Sequence, residues 1–449
     1  MKTIITFGIF DHFHDGHRNL LSTSKKFGDY LIVAVATDLY ALERGKLCVA
    51  DSLQTRMQNI RESGLADLVV AEEYEGHKID LIRKYHADIV TASSDWKGQF
   101  DYLSEYCEVV YLPRTEGISS TILRNRLFPK VRLGMIGTGR FAGRFLNEAA
   151  SVPGIEVTEV YNPHLQSAVR FAGQHPGLHV CESTEELLGA ADAVYICSPH
   201  ETHYAYAKQA LEAGRHVLCE KPAVLKKQEA EELFALASEK NLIFMEGIKT
   251  AYCPGFLRLT ELVKSGVIGD VCDIDASFTR LTEKGVREWQ DRRYGGSFTE
   301  FGSYVLLPVL KLFGCGYKEI RFDSVLADDG PDSYTKTTLV YSGRSATLRT
   351  GLGVKTEGQL IISGTEGYII AEAPWWKTSV IKIRNEDPNQ ETRYDVPFAG
   401  DGLRYEAADF VCRILGCSGR DGKLTAEESI AMAGIMETFL QKRGTHDHA

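Results

Sequence analysis

The chain has 449 residues, a formal net charge of −10, and 44% hydrophobic against 25% charged residues. That mix marks a globular protein, and the length exceeds what one core usually holds, so at least two domains are expected. The charge argues against a nucleic-acid partner, and no apolar run is long enough to span a membrane, so neither is an expected partner. The opening MKTIITFGIF reads as a buried strand without a signal-peptide cleavage site, which predicts a cytoplasmic location. Ten cysteines lie scattered without a CxxC pair, arguing against a zinc site, and no metal-ligand set is assigned.

A β-alternating-with-α rhythm starts twice. The first run predicts strands at 3–9, 30–36, 67–71, 88–92 and 108–112, with helices at 17–27, 55–63, 77–85 and 99–106 between them. This is the pattern of a doubly wound parallel sheet. The second run opens with a strand at 131–136 and continues to about residue 244. Longer adjacent strands then follow at 271–281, 318–327, 335–342, 345–352, 358–364 and 368–372, with closing helices near 403–416 and 426–442. They predict an α+β domain with a mostly antiparallel sheet. The domains expected are therefore 1–129, a dinucleotide-binding Rossmann domain at 130–250, and an α+β substrate or oligomerisation domain at 251–449. Phe128-Pro129-Lys130 is a tight junction with no Gly/Ser linker.

The first strand runs into Gly8-Ile9-Phe10-Asp11-His12-Phe13-His14-Asp15-Gly16-His17, two histidines around a glycine at a helix start. Free amides and the positive dipole end attract phosphate there, and imidazoles can donate to phosphoryl oxygens. Arg114 to Thr121, RTEGISST, offers a second such design, and Arg44, Lys46 and Arg56 add cations.

These motifs, with TDLYALERGK and with Asp95-Trp96, Gly98 and Phe100-Asp101, resemble the cytidylyltransferase family, within it the glycerol-3-phosphate cytidylyltransferases. The resemblance implies transfer of a cytidylyl group from CTP, with Mg²⁺, to a small polyol phosphate, releasing pyrophosphate. It implies that His14, His17, Lys46 and Arg114 are catalytic. It places CTP against Gly8, Phe10, Asp11, His14, Gly16, His17, Asp95, Arg114, Ser119, Ser120 and Thr121, and phosphate of the substrates on Arg44, Lys46 and Arg56. One departure stands out: the family's Gly-Asp-Asp before the aromatic is Ser93-Ser94-Asp95 here, which bears on acceptor recognition.

The strand at 131–136 ends in Gly137-Thr138-Gly139-Arg140-Phe141-Ala142, the GxGxxA form of the dinucleotide fingerprint, in the required strand–turn–helix context. Asn162 fills the slot where an acidic residue would bind the ribose hydroxyls, so NAD and NADP both stay open. Ser198-Pro199-His200-Glu201-Thr202-His203 and Glu220-Lys221-Pro222 each follow a later strand. With the glycine-rich stretch 295–304, this series resembles the Gfo/Idh/MocA oxidoreductase family from about residue 131 to 440. That resemblance implies NAD(P)(H) bound by Gly137, Thr138, Gly139, Arg140, Phe141, Asn162, Ser198, Pro199, His203, Glu220 and Lys221, often a cis peptide after the lysine, and dimers or higher homo-oligomers.

The family's catalytic Asp and His slots hold Glu300 and Tyr304, and Tyr in the second is the habit of the branch resembling dimeric dihydrodiol dehydrogenase. Lys221, Glu300 and Tyr304 are thus the expected catalytic trio. Tyr304 is expected to be an acid whose pKa falls beside the Lys221 ammonium. The combined expectation is a bifunctional enzyme that reduces a phosphorylated ketone or aldehyde to a polyol phosphate and then makes the CDP-polyol, for surface polysaccharide. The alternatives are an oxidoreductase acting on the CDP-linked product, or a second half that only senses nucleotide or assembles the protein.

Overall fold

The computed structural model describes residues 1–113, 130–327, 330–387, 389–417 and 422–446. Arg114, Ser119, Ser120, Thr121 and the Phe128-Pro129 junction lie outside the described residues. The chain divides into two compact units, one built on residues 1–130 and the other on 131–414 with the C-terminal helix.

The first unit is a five-stranded parallel sheet. Its strands are β1 (Thr3–Gly8), β2 (Tyr30–Ala36), β3 (Leu68–Glu72), β4 (Ile89–Ser93) and β5 (Glu108–Leu112), in the order β3-β2-β1-β4-β5. Helices cover both faces, so the central strands read as near-continuous apolar runs. Ile4, Leu31, Val33 and Val35 pack on one face, and Ile5, Ile32, Ala34 and Val90 on the other. The strand order reverses beside β1, the place where doubly wound sheets bind ligands. The predicted helix at 99–106 is only a short 3₁₀ segment, Asp101–Glu105. Tyr111 holds that stretch, its hydroxyl accepting from the Phe100 amide and donating to Asp101.

The second unit holds two sheets. Strands β6 (Val131–Ile136), β7 (Ile155–Tyr161), β8 (His179–Val180), β9 (Ala193–Ile196), β10 (His216–Glu220) and β11 (Phe244–Gly247) form a parallel sheet ordered β11-β10-β9-β6-β7-β8. The other sheet contains β12 (Val271–Thr279), β13 (Glu319–Leu326), β14 (Asp332–Val340), β15 (Ser345–Gly351), β16 (Leu360–Gly364), β17 (Tyr368–Ala371), β18 (Val380–Arg384) and β19 (Glu391–Asp395). Its order is β13-β14-β15-β12-β16-β17-β18-β19, antiparallel except for the β12–β15 pair. Sequence reading missed β18 and β19. β19 is a charged edge strand whose Glu391 pairs with Lys382 and Arg384 of β18 across the hairpin, and such charged strands lack an apolar run.

The helix Ser297–Phe313 is apolar nearly all round and almost wholly buried, packed on β12, β14 and β15 and on the C-terminal helix. It carries Glu300 and Tyr304 one turn apart. No helix among the described residues is long and apolar enough to cross a membrane.

Candidate active sites

In the first unit β1 delivers the chain to a strained loop. Phe10 and His12 adopt left-handed backbone angles, φ +57° and +48°. Such non-glycine outliers persist where surrounding contacts over-determine them. Those contacts are visible. Asp11 is buried and its Oδ1 accepts from the amides of Ala50 (3.0 Å) and Asp51 (3.1 Å), while Asp51 accepts from the His12 amide (3.0 Å).

The helix Asp15–Ser24 then begins with His14 as its N-cap. His14 Nδ1 accepts from Gly16 N (3.1 Å), and His17 Nδ1 accepts from His14 N (3.4 Å). An imidazole whose Nδ1 accepts carries its proton on Nε2. The two rings stack at 3.8 Å, with Phe10 and Phe13 against His17. Burial, then the neighbouring His14, push His17 down to about 3, and burial lowers His14 as well. Both imidazoles are therefore neutral Nε2–H donors at a helix N-terminus.

Arg56 is a correction. It was expected on substrate phosphate, yet it is fully buried. Its guanidinium donates to the carbonyls of Ile9 (2.6 Å), Ala36 (2.8 Å) and Asp51 (3.1 Å), and pairs with Asp38. These bonds use its donors internally, so it braces the β1 loop and does not face a ligand. Arg44 lies over the Trp96 ring (4.7 Å), and Lys46 and Asp95 are exposed nearby in sequence. Sequence reading also missed Lys78, a buried ammonium bound to Glu72 and to Tyr40 Oη (3.0 Å) among the rings of Phe7, Tyr40 and Phe100. Nothing in a lone Lys within a helix announces such a pair.

In the second unit the fingerprint turn follows β6. A Cβ on Gly137 would sit 2.8 Å from the Cys197 backbone, and φ there is +108°, so only glycine fits between the two turns. Gly139 is exposed, and a Cβ on it would meet nothing within 4 Å; it faces an open groove. Arg140 opens the following helix and pairs with Glu288. Asn162 donates to Thr138 Oγ1 (2.8 Å) and accepts from the His164 amide (2.9 Å).

Across the groove, His203 is buried. Its ring nitrogens lie 2.9 Å from the Pro222 carbonyl and 2.8 Å from the Ser198 carbonyl, tying two strand-end turns together. Pro199 is exposed in the first of these turns. Glu220 accepts from Tyr195 Oη (2.5 Å), and the Lys221–Pro222 peptide is cis. Gly139, Phe141, Ser198, Glu220 and Lys221 line one cavity of about 180 Å³. An open glycine turn before a helix N-terminus suits the pyrophosphate of a nicotinamide dinucleotide.

Lys221 Nζ donates to Glu300 Oε1 and to the Glu300 carbonyl, both at 3.0 Å. His200 Nε2 is 3.8 Å from the other Glu300 oxygen, and burial, then Lys221, lower the His200 pKa, keeping it neutral. Tyr304 corrects the sequence expectation. Burial first, then Glu220, Glu406 and Glu300, raise its phenol well above the ordinary value. Lys221 is committed to Glu300 and only lies over the Tyr304 ring at 5.9 Å. Tyr304 is thus a phenol that keeps its proton.

The trio lines a second, larger cavity of about 650 Å³. Sequence reading missed much of its wall: Arg280, Lys355 and Asp401 carry no motif and converge only through folding.

A phosphate-ready helix start with its neutral His pair, and a separate dinucleotide groove beside a Lys–Glu–Tyr trio, define a nucleotidyltransferase and a nicotinamide-dependent oxidoreductase on one chain. The comparisons agree. Family models match residues 5–126 (Cytidylyltransferase-like), 131–248 (Oxidoreductase family, NAD-binding Rossmann fold) and 256–370 (GFO/IDH/MocA C-terminal domain). The chain is 44% identical over 124 residues to glycerol-3-phosphate cytidylyltransferase of Bacillus spizizenii, covering 28% of this chain and 95% of that protein. It is 28% identical over 324 residues to the scyllo-inositol 2-dehydrogenase (NADP(+)) of Bacillus subtilis, covering 70% and 97%. A solved 3-ketoreductase of Actinomadura kijaniata, in complex with NADP and TDP-benzene, aligns at 25% identity with a TM-score of 0.59 over 69% of this chain and 96% of that one. The chain belongs to the cytidylyltransferase family in its N-terminal part and to the GFO/IDH/MocA oxidoreductase family in the rest.

Proposed function

We propose that the chain transfers a cytidylyl group from CTP to a small polyol phosphate and, with NADP(H), interconverts carbonyl and alcohol on a phosphate-bearing ketone or aldehyde of the same route, in bacterial surface-polysaccharide synthesis. The observation that carries the redox half is charge. Seven Lys and Arg side chains line the larger cavity against three carboxylates. A neutral diol or inositol needs no such excess, whereas a phosphate-bearing substrate does.

In the first unit the acceptor phosphate oxygen attacks the α-phosphorus of CTP and the bond to pyrophosphate breaks. The Nε2–H groups of His14 and His17 and the helix amides donate to oxygens where charge builds. Lys46 and Arg44 supply cations, Mg²⁺ enters with the triphosphate, and Arg114, Ser119, Ser120 and Thr121 hold the nucleotide by resemblance.

In the second unit Gly137 to Phe141 would hold the dinucleotide, which when bound supplies or accepts hydride. Asn162 carries no charge to repel a 2′-phosphate, and the similar inositol dehydrogenase is named for NADP(+), which favours NADP. Tyr304 delivers its proton to the developing alkoxide, and Lys221, fixed by Glu300, orients and polarises the substrate oxygen.

The test mixes the full chain with CTP, Mg²⁺, NADPH or NADH, and a panel of triose, tetrose and pentose phosphates and their polyols. Cofactor turnover and pyrophosphate release on phosphate-bearing compounds are expected. Absence of NAD(P)H binding would end the redox half.

A further inference from the structure

We infer that the larger cavity of the second unit is a nucleoside-diphosphate site, so that the oxidoreductase acts on the cytidine-diphosphate-linked product of the transferase. This rests on the reading above that the substrate bears phosphate, and it reverses the order expected from sequence.

Size is the first argument. The cavity measures about 650 Å³. A four-carbon polyol phosphate has about a dozen non-hydrogen atoms. Even granting each the ~30 Å³ of a liquid water molecule, it fills little more than half of that space, which Arg140, Phe141 and Lys221 also open to the nicotinamide end of the cofactor. Pockets of this volume enclose ligands of drug size, the class to which a CDP-linked polyol belongs.

The cations are the second argument. Lys249 donates to the Asp401 carbonyl (2.6 Å) and Lys377 to Asp401 Oδ1 (2.9 Å), while Arg144 adds its charge to the same carboxylate. Three cations thus surround Asp401, and Lys249 also faces the buried Glu406. Lys249 is only 8% exposed, and burial lowers its pKa, so an arriving anion stabilises its charged form. Arg280 and Lys355 line the same cavity, and the hydrogen bond that Lys355 donates to the Thr279 carbonyl is long at 3.4 Å. This cluster is separate from Lys221, which Glu300 neutralises, and it offers more donors than one phosphate monoester takes up.

The wall is the third argument. Trp376 stacks on Phe278 (3.7 Å, 8° between planes), and Phe278 stacks on Phe301 (4.4 Å, 13°). All three line the cavity. A flat aromatic ladder beside a cation cluster matches a planar base joined to a diphosphate.

The reaction balances as a two-electron exchange on the polyol part. Hydride passes between the carbinol carbon and the nicotinamide, and one proton passes between the hydroxyl and water through Tyr304. The reaction that supplies this substrate is cytidylyl transfer itself.

The test titrates the full chain with CDP by calorimetry and follows NADP(H) turnover at 340 nm. Two equivalents of CDP are expected, one per unit, falling to one in Lys249→Ala/Lys377→Ala. CDP should inhibit redox turnover competitively, and Trp376→Ala should weaken that inhibition about tenfold. A single equivalent in the unmutated protein, or two in the double variant, overturns the assignment. So does redox turnover of free phosphates that CDP does not inhibit, although the phosphate-bearing reading then stands. If no phosphate-bearing compound, free or CDP-linked, binds or turns over in the second unit, that reading falls as well.

Discussion

Lys221 and Glu300 are joined twice, the ammonium reaching both the side chain and the carbonyl of the same glutamate at 3.0 Å. The contact fixes the lysine against the first turn of the helix that carries Tyr304. Lys221→Ala should therefore cut NADP(H) turnover by about 10²–10⁴-fold, the range of a positioned acid–base group. Pyrophosphate release from CTP should stay within about twofold. Glu300→Gln keeps both acceptors for the ammonium but removes the charge, and should cost less, about tenfold. Parallel loss of both activities in Lys221→Ala would contradict two independent chemistries.

Tyr304 makes a prediction that its sequence slot alone did not. Burial raises its pKa above the ordinary value near 10, so the phenol stays protonated across the working range. The reduction rate should show no loss from Tyr304 ionisation up to about pH 10, and Tyr304→Phe should remove about 10²-fold or more of kcat with little change in KM. A rate that falls with an apparent pKa near 7–8, absent in Tyr304→Phe, would show instead a tyrosine acidified by Lys221.

Both parallel sheets were legible in the sequence because buried parallel strands write themselves as apolar runs. Tyr30–Ala36, YLIVAVA, needed only its own residues. The two site motifs were legible because a helix start after a glycine turn is local. What the sequence hid was long-range. Arg56 reads as an exposed cation until its donors are found on Ile9 and Ala36, which are 47 and 20 residues away. Tyr304 reads as a phenol acidified by Lys221 until burial is seen to raise it and Lys221 is found bonded to Glu300. Lys249 and Asp401 meet across 152 residues, a contact that no spacing rule anticipates.

Gly137 and Gly139 should respond oppositely to added side chains. Gly137→Ala forces a Cβ into the Cys197 backbone at 2.8 Å in a left-handed conformation, so it should destabilise the second unit, by about 1–3 kcal/mol. Gly139→Ala adds a Cβ that meets nothing within 4 Å and should leave thermal stability within about 0.5 kcal/mol while weakening NADPH binding. Asn162→Asp should weaken NADPH about tenfold relative to NADH. Fluorescence titration of each variant reads the cofactor effect, and calorimetric melting reads the fold.

Arg56 should behave as a brace. Arg56→Ala removes hydrogen bonds from three carbonyls and leaves Asp38 unpaired, a loss of about 3 kcal/mol in the first unit. Its hallmark is a lower melting temperature for that unit without any nucleotide present. A variant that melts normally but has a raised KM for the polyol phosphate would restore the substrate-phosphate role.

The His14–His17 stack makes the first unit acid-sensitive. His17 titrates near 6.5 when unfolded and at about 3 when folded. Between those values the unfolded chain binds the extra proton, so stability is complete above about pH 6.5 and declines as pH falls towards 3. By pH 5 the loss is about 2 kcal/mol at most, since His17 is partly exposed and screening reduces it. His17→Asn should flatten this dependence while cutting cytidylyl transfer by about 10²-fold or more, because it removes one of the two neutral Nε2–H donors. Melting curves of the two proteins between pH 7.5 and 4.5 decide the matter. Parallel curves would mean that the proton responsible binds elsewhere. Converging curves at high pH that separate below 6.5 would place it on this imidazole.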